Sequence, residues 1–236
     1  LHHFHQQIAW QTGPVFRNYY LAFSGGPAEY LSLFISQFFY SDLLGSLILT
    51  ASGLLISFFL IKTVQLKQEK SNLLFLLVPL VQVIILAMMC DYKFHFSVAV
   101  NLTIVSGFLY LCTSLEKRAR FTVFFPTIIA GILLYYISGG MYFLIFMVSS
   151  AILFVAKPYK NMFFNVLLIL IVAILIPFVA YHFVFLSSLN NSYFRSTPDV
   201  AAMIRYARPP VFYAGLAIIP VFIIVGYQGD MFLGWK

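Results

Sequence analysis

Two aspartates at the boundaries between polar and apolar sequence are the first candidates for chemistry. Asp42 directly precedes an apolar run, and Asp91 directly follows one, with Lys93 and His95 close behind it. If both carboxylates lie at the same depth, they could bind a divalent metal or share general acid and base catalysis. The alternative is that each is a solvated residue at a helix end. The identity of any metal or other cofactor stays unknown from the sequence.

Arginines form a second candidate set, for binding an anion. The set consists of Arg17, Arg195, Arg205 and Arg208. Guanidinium groups bind phosphate in a bidentate manner, and Lys93 could add a further cation. The ligand we expect is the phosphate or pyrophosphate of a lipid carrier. Ordinary lipid headgroups are the alternative ligand.

Other polar residues lie in or beside the apolar runs. Glu29 follows the sequence Ser24-Gly25-Gly26-Pro27, where Pro suits the first turn of a helix and Glu complements the helix dipole. Three amides could form hydrogen bonds between helices: Gln82, Asn101 and Asn165. His182, late in a very apolar run, is expected to be a neutral, hydrogen-bonded histidine between helices.

Long apolar runs must position these side chains. Of the 236 residues, 62% are hydrophobic and 9% are charged, whereas a soluble domain carries about 25% charged residues. A membrane-spanning helix needs roughly 20 apolar residues. Seven runs approach this length: Leu43–Ile61, Leu73–Cys90, Phe96–Leu115, Phe121–Ile137, Met141–Ala156, Met162–Leu186 and Val211–Tyr227. The sequence therefore predicts an all-α, polytopic integral membrane helix bundle with about seven spanning helices.

The basic residues predict which side of the membrane each loop faces. Lys and Arg cluster in every second gap between the runs, at Lys62–Lys70, Lys117–Arg120 and Lys157–Lys160. The positive-inside rule places these gaps on the cytoplasmic side of the membrane. Residues 1–42 and 187–210 then face outward. Because the net charge of +7 lies at membrane edges, it does not indicate a nucleic-acid partner.

Both outward segments are expected to carry a helix lying along the membrane surface. The first begins at Pro27, and the second covers Pro198–Tyr206, which follows Thr197 as a candidate N-cap. Inside the first spanning run, small residues recur at helical spacing and would let another helix approach closely. They are Ser46, Thr50, Gly53 and Ser57. We treat residues 1–236 as a single transmembrane domain, and expect it to be part of a longer protein.

One stretch resembles a known family. The motifs are Phe16-Arg17-Asn18-Tyr19, Ser24-Gly25-Gly26-Pro27-Ala28-Glu29-Tyr30-Leu31 and Gln37-Phe38-Phe39-Tyr40. They are similar to those of uncharacterised multi-spanning membrane proteins from Bacteroidetes, a family of unknown function. Members of that family are usually longer, with a further N-terminal span and a soluble C-terminal portion. The remaining runs of this chain are similar to the family in hydropathy alone.

The layout also resembles that of the C-type glycosyltransferases, which take sugar from a polyprenyl-phosphate donor. The resemblance implies that Asp42 or Glu29 is the catalytic acid, with Asp91 and Lys93 as partners from the second outer loop. The arginine set would then hold the donor phosphate. The adjacent acidic pair usual in the first outer loop of those enzymes is absent here.

Three functions therefore stay open. The first is a glycosyltransferase-like enzyme of envelope glycan or lipid assembly, which requires Asp42, Asp91 and the arginines to line one cavity. The second is a non-catalytic membrane scaffold that anchors a soluble domain or a partner complex through an aromatic or small-residue face. The third is a lipid or solute transporter, which would need helices broken at mid-depth.

Overall fold

A computed structural model of the protein describes residues 10–67, 73–90, 95–119, 124–155, 162–184 and 210–233. Within these ranges the chain forms nine α-helices and no strands. They are α1 (Pro14–Leu21), α2 (Gly26–Ser36), α3 (Asp42–Lys67), α4 (Leu73–Cys90), α5 (Ser97–Ala119), α6 (Phe124–Ser138), α7 (Gly140–Val155), α8 (Met162–Val179) and α9 (Pro210–Leu233). A 3₁₀ turn at Gln37–Tyr40 joins α2 to α3, and a π-helical turn, Ala180–Val184, extends α8. The all-α prediction is confirmed for these residues.

The number of spanning helices is lower than predicted. Within the described ranges, three segments rather than about seven are long and apolar enough to cross a membrane: Asp42–Leu66, Ser97–Glu116 and Asn165–Phe183. Each of the other four predicted runs forms an apolar helix, but its described apolar part is short, as in Gly140–Val155 with 16 residues. At 1.5 Å per residue such a helix measures about 24 Å, against a hydrocarbon thickness of about 30 Å. Hydropathy located these helices but overestimated how many are long enough to span.

Helix α5 lies at the centre of the packing, in contact with α2, α3, α6 and α7. Helix α9 packs against α4, α7 and α3 on another side of the bundle. The interior is filled by large side chains that exclude solvent, including Leu102, Tyr142, Phe143 and Phe146. Many apolar side chains on the outer surface are exposed, with Phe163 and Phe183 among the most exposed. Exposed apolar side chains in this number are typical of a surface that contacts lipid.

The small-residue stripe on α3 provides a close helix contact. The Gln82 side chain of α4 packs directly on Gly53, and a Cβ added there would lie 2.7 Å from the Gln82 Cδ. The Gln82 Nε2 donates a long hydrogen bond of 3.5 Å to the Thr50 carbonyl oxygen. The Ser57 hydroxyl donates to the Gly53 carbonyl of its own helix, at 2.9 Å. The stripe therefore allows a polar side chain to pack between two helices.

The segment before α3 folds onto one end of the bundle. Helix α2 contacts α5 and α6, and α1 packs on α2. The Gly25 N–H donates to the Tyr136 carbonyl oxygen at 2.8 Å, and the Tyr136 hydroxyl donates to the Leu21 carbonyl oxygen at 3.0 Å. The helix predicted after Ser24 is therefore present, and it lies at the same end as the α6–α7 connection. The helix predicted at 198–206 lies outside the described residues.

Candidate functional site

The sequence-predicted site residues are only partly covered by the structure. Asp42 is the first residue of α3 and is exposed, and Arg17 is exposed on α1. The others lie outside the described residues: Asp91, Lys93, Arg195, Arg205 and Arg208. A shared cavity of Asp42, Asp91 and the arginines therefore stays a prediction. Within the described ranges, no group of three or more His, Cys, Asp or Glu residues is arranged to hold a metal ion.

His182 has different neighbours from those expected. Its ring lies 4.7 Å from the ring of Phe178 and 4.7 Å from that of Tyr181, centroid to centroid. All three residues belong to the end of α8 or its π-helical turn, and the His182 side chain is exposed. Pro177 lacks the N–H that would continue the hydrogen-bond ladder, and π-turns are associated with such irregularities. The ring contacts of His182 with Phe178 and Tyr181 therefore lie within its own helical segment rather than between helices.

A polar cluster lies where α2 meets the bundle, and we call it the Glu29 cluster. Its members are Glu29 of α2, Tyr20 of α1, Asn101 of α5 and Tyr142 of α7. Asn101 has no exposed surface, Tyr142 and Tyr20 are buried, and Glu29 is half-buried. Four different helices thus each contribute one polar side chain to the same end of the bundle.

Two glycines determine how Glu29 reaches this position. Gly25 has a φ of 85°, a left-handed conformation that favours glycine, and it precedes the first turn of α2. At Gly26 a Cβ atom would collide with the Tyr20 carbonyl oxygen, so only glycine lets the chain turn back this closely. Glu29 lies in the first turn after this corner, where its charge complements the helix dipole. The corner therefore brings Glu29 and Tyr20 to the same place.

The charge of Glu29 acts on the two tyrosine hydroxyls of the cluster. Burial raises the pKa of Tyr20, and the negative charge of Glu29 raises it further, with a smaller contribution from Tyr19. The Glu29 carboxylate also acts electrostatically on the Tyr142 hydroxyl, although Tyr142 lies on α7. A half-buried carboxylate that acts electrostatically on two phenolic hydroxyls is an arrangement that can take part in proton transfer.

Within the described residues, the Asn101 amide has hydrogen-bonding capacity that is not used. Its amide lies beside the Tyr142 hydroxyl, but neither Oδ1 nor Nδ2 makes a hydrogen bond with acceptable distance and angle. The two side chains are therefore neighbours rather than a hydrogen-bonded pair. A buried amide without a partner costs about 1–3 kcal/mol. An unsatisfied buried group in a native protein calls for an explanation, and a functional role is one such explanation.

Sequence reasoning identified two members of the cluster and missed two. Glu29 and Asn101 were singled out separately, one as an acid and the other as an interhelical amide. Tyr20 and Tyr142 were missed, because tyrosines are frequent here, with 15 in the chain. The position of Tyr142 just after Ser138-Gly139-Gly140, a glycine-containing break between two apolar runs, was the available signal.

The chain matches a protein-family model over residues 1–231, and that model is described as a family of unknown function, DUF6057. The match covers nearly the whole chain and comes with no activity, substrate or cofactor. No curated protein and no solved structure matches the chain. The function must therefore be inferred from the residues and their geometry.

Proposed function

We propose that this chain, which belongs to the family of unknown function DUF6057, is a membrane-embedded transferase. It would act in envelope glycan or lipid assembly on a lipid-phosphate-linked donor, at the end of the bundle where α2 packs. The observation that carries the proposal is the Glu29 cluster, in which a half-buried carboxylate lies with buried polar groups from α1, α5 and α7. We further propose a bacterial inner membrane as its location, with residues 1–42 outside.

Between the two acids considered for catalysis, the geometry favours Glu29 over Asp42. Asp42 is exposed at the start of α3, where it complements the helix dipole in contact with solvent. Glu29 is half-buried and acts on the hydroxyls of Tyr20 and Tyr142. A general base must be positioned rather than free in solvent, because the geometry of proton transfer decides its efficiency.

In the proposed reaction Glu29 is the general base. The oxygen of an acceptor hydroxyl forms a bond to the anomeric carbon of the donor sugar as its proton passes to the Glu29 carboxylate. The bond from that carbon to the phosphate oxygen breaks, and the lipid phosphate leaves with the electron pair. Arg17, Lys93, Arg195, Arg205 and Arg208 are proposed to neutralise this phosphate, and Asp91 to assist, with or without a divalent metal.

Replacing Glu29 by Gln tests the proposal. In cells that lack the chromosomal copy, the Glu29→Gln protein should reduce product formation by about 10²–10⁴-fold, as for the loss of a general base. Lipid-linked sugars and envelope glycans would be measured by mass spectrometry at equal protein levels. Asp42→Asn is the matched control, because it removes the exposed carboxylate at the same end. Normal products from Glu29→Gln, or their loss in the control alone, would contradict the assignment.

A membrane scaffold is the second candidate, favoured by the aromatic side chains around α1 and α2. Tyr19, Phe34, Phe38 and Tyr40 are exposed at this end of the protein. Tyrosine and other aromatic side chains are enriched at membrane–water boundaries and at protein interfaces. A scaffold predicts that Glu29→Gln is harmless, whereas Phe38→Ala with Tyr40→Ala releases a partner in co-purification.

The described helices give less support to a transporter. Pro79, Pro177 and Pro220 each lie inside a helix that continues on both sides of the proline. Transporters of the broken-helix type instead bind their substrate at unwound helix ends near the bilayer midplane. Within the described ranges the long apolar helices are not unwound in this way.

A further inference from the structure

Helices α1 and α2 form a pair that presents mostly small side chains to the bundle. The buried residues of α2 are Gly26, Ala28 and Ser32. Small side chains of this kind bury little apolar area where α2 contacts α5 and α6. Large rings instead join the pair together, since the Tyr30 ring of α2 packs against those of Phe16 and Tyr20 on α1. The packing therefore favours movement of α1 and α2 as one body.

The connections of this pair to the bundle are suited to a hinged movement. Two of its hydrogen bonds meet at one residue of α6, because Tyr136 accepts from the Gly25 N–H and donates to the Leu21 carbonyl oxygen. Between α2 and α3 lie the 3₁₀ turn Gln37–Tyr40 and the extended residue Ser41. Hinges are commonly a few residues at the end of an element that absorb a change in backbone angles. We call the pair the α1–α2 lid.

Asn101 lies where the α1–α2 lid meets α5. The residues just before it, Ala99 and Val100, belong to a buried cluster against which Ile35 of α2 packs. Asn101 has no exposed surface, and neither of its amide atoms makes a hydrogen bond within the described part of the chain. Its neighbour Tyr142 contributes a buried hydroxyl from α7. A ligand that uses both amide atoms would explain why this capacity is kept in the interior.

The chemistry of these groups favours a neutral ligand that carries hydroxyl groups. An amide offers an N–H donor and a carbonyl acceptor side by side, so its ligand must both accept and donate. Adjacent hydroxyls of a sugar meet this requirement, because each hydroxyl is a donor and an acceptor. Glu29, the charged member of the cluster, acts on the Tyr142 hydroxyl and disfavours a second negative charge there. A neutral sugar therefore fits these residues better than a phosphorylated one.

We propose that Asn101 and Tyr142 form the acceptor-binding subsite, that its ligand is a neutral sugar with adjacent hydroxyl groups, and that the α1–α2 lid lifts to admit it. This inference rests on the proposed transferase function and names the class of its acceptor. The Asn101 amide holds one hydroxyl of the acceptor toward Glu29. The closed lid excludes water, which would otherwise compete with the acceptor for the donor sugar.

Replacing Asn101 by Leu tests the subsite, because Leu keeps a branched side chain of similar size without polar atoms. In cells that lack the chromosomal copy, product should fall about 10–100-fold at equal protein level, as expected when hydrogen bonds to the acceptor are lost. The purified full chain should unfold at the same or a higher temperature, because an unsatisfied buried amide has been removed.

Ser149→Ala is the matched control for this change. The Ser149 hydroxyl on α7 is also fully buried and has no hydrogen-bond partner within the described ranges. Its removal should leave product formation unchanged. Normal product from Asn101→Leu, or a loss that comes with a lowered unfolding temperature, would overturn the subsite. If Glu29→Gln is also harmless, the transferase function itself fails, whereas loss of product in Glu29→Gln alone removes only the subsite.

Cysteine reactivity tests the lid without any measurement of activity. The purified full chain in detergent, with Cys90 and Cys112 replaced by Ala, is treated with a water-soluble maleimide. Asn101→Cys should react about tenfold faster than Ser106→Cys, because opening of the lid exposes position 101. Ser106 is the matched position, since it is equally buried on α5 but about 7.5 Å further along the helix. Equal rates at the two positions would overturn the lid.

Discussion

At the scale of single residues, the Glu29 cluster contains one charged group among neutral polar ones. Tyr20 is buried, and both its burial and the Glu29 charge favour the neutral hydroxyl. Asn101 contributes an amide whose polar atoms have no hydrogen-bond partner in the described part of the protein. The cluster therefore places polar groups, among them the unsatisfied Asn101 amide, beside the apolar core around Phe143 and Phe146.

The titration of Tyr20 should destabilise the α1–α2 packing at high pH. Its pKa in the folded protein is raised above the ordinary value of about 10, so its contribution to stability is fully present below pH 10. That contribution is lost as the pH rises through the folded value. Fluorescence of Trp10, which packs on Tyr30 and Phe34, would report the loss.

A Tyr20→Phe protein removes the titrating group and should keep its Trp10 signal to higher pH than the wild type. Tyr40→Phe is the control, because Tyr40 is 91% exposed. If Tyr20→Phe and wild type change over the same pH range, Tyr20 does not govern the packing.

At the scale of elements, the corner between α1 and α2 positions the cluster. The Gly26→Ala change should destabilise this corner, because its Cβ would meet the Tyr20 carbonyl group, which is backbone and cannot rotate away. We expect a loss of about 1–3 kcal/mol, as for other overpacked sites. Hydrogen exchange of residues 14–36 should rise, while exchange in α5 stays low.

Gly13→Ala is the control for this change. It lies just before α1, and no atom lies within 4 Å of the Cβ that it would add. Equal hydrogen exchange in the two variants would show that the close contact at Gly26 does not hold the corner.

The same elements show how far the sequence predicts the structure. The apolar runs correctly located α3 to α9, and the Gly-Gly-Pro sequence located the start of α2. Hydropathy overestimated the number of spanning helices among the described residues, because it included runs such as Met141–Ala156, whose helix is shorter than the roughly 20 residues that a span needs. Hydropathy also could not predict the interaction between Glu29 and Tyr142, because this interaction arises only when α2 folds onto α5 and α6.

At the scale of the whole molecule, α3 is the clearest reporter of orientation. Its 26 residues give a length of about 39 Å, more than the roughly 30 Å of hydrocarbon. The charge pattern predicts that its start faces outward and that Lys67, at its end, faces the cytoplasm. In this orientation, the Glu29 cluster lies at the outward-facing end of the bundle, as does the start of α3.

Cysteine labelling in intact cells checks this orientation. In a background with Cys90 and Cys112 replaced by Ala, Tyr40→Cys should react with a membrane-impermeant maleimide. Lys67→Cys should react only after the cells are permeabilised. The reverse pattern would place the Glu29 cluster in the cytoplasm and contradict an outward-facing reaction.

The connection between α6 and α7 consists of one residue, Gly139, with a φ of 86°. Its N–H donates to the Tyr135 carbonyl at 3.0 Å, and its own carbonyl accepts from the Phe143 N–H at 3.1 Å. Both backbone polar atoms of Gly139 are thus hydrogen-bonded within the hairpin. A single left-handed glycine therefore suffices to reverse the chain, so the end of α6 and the start of α7, which carries Tyr142, are held at the same end of the bundle.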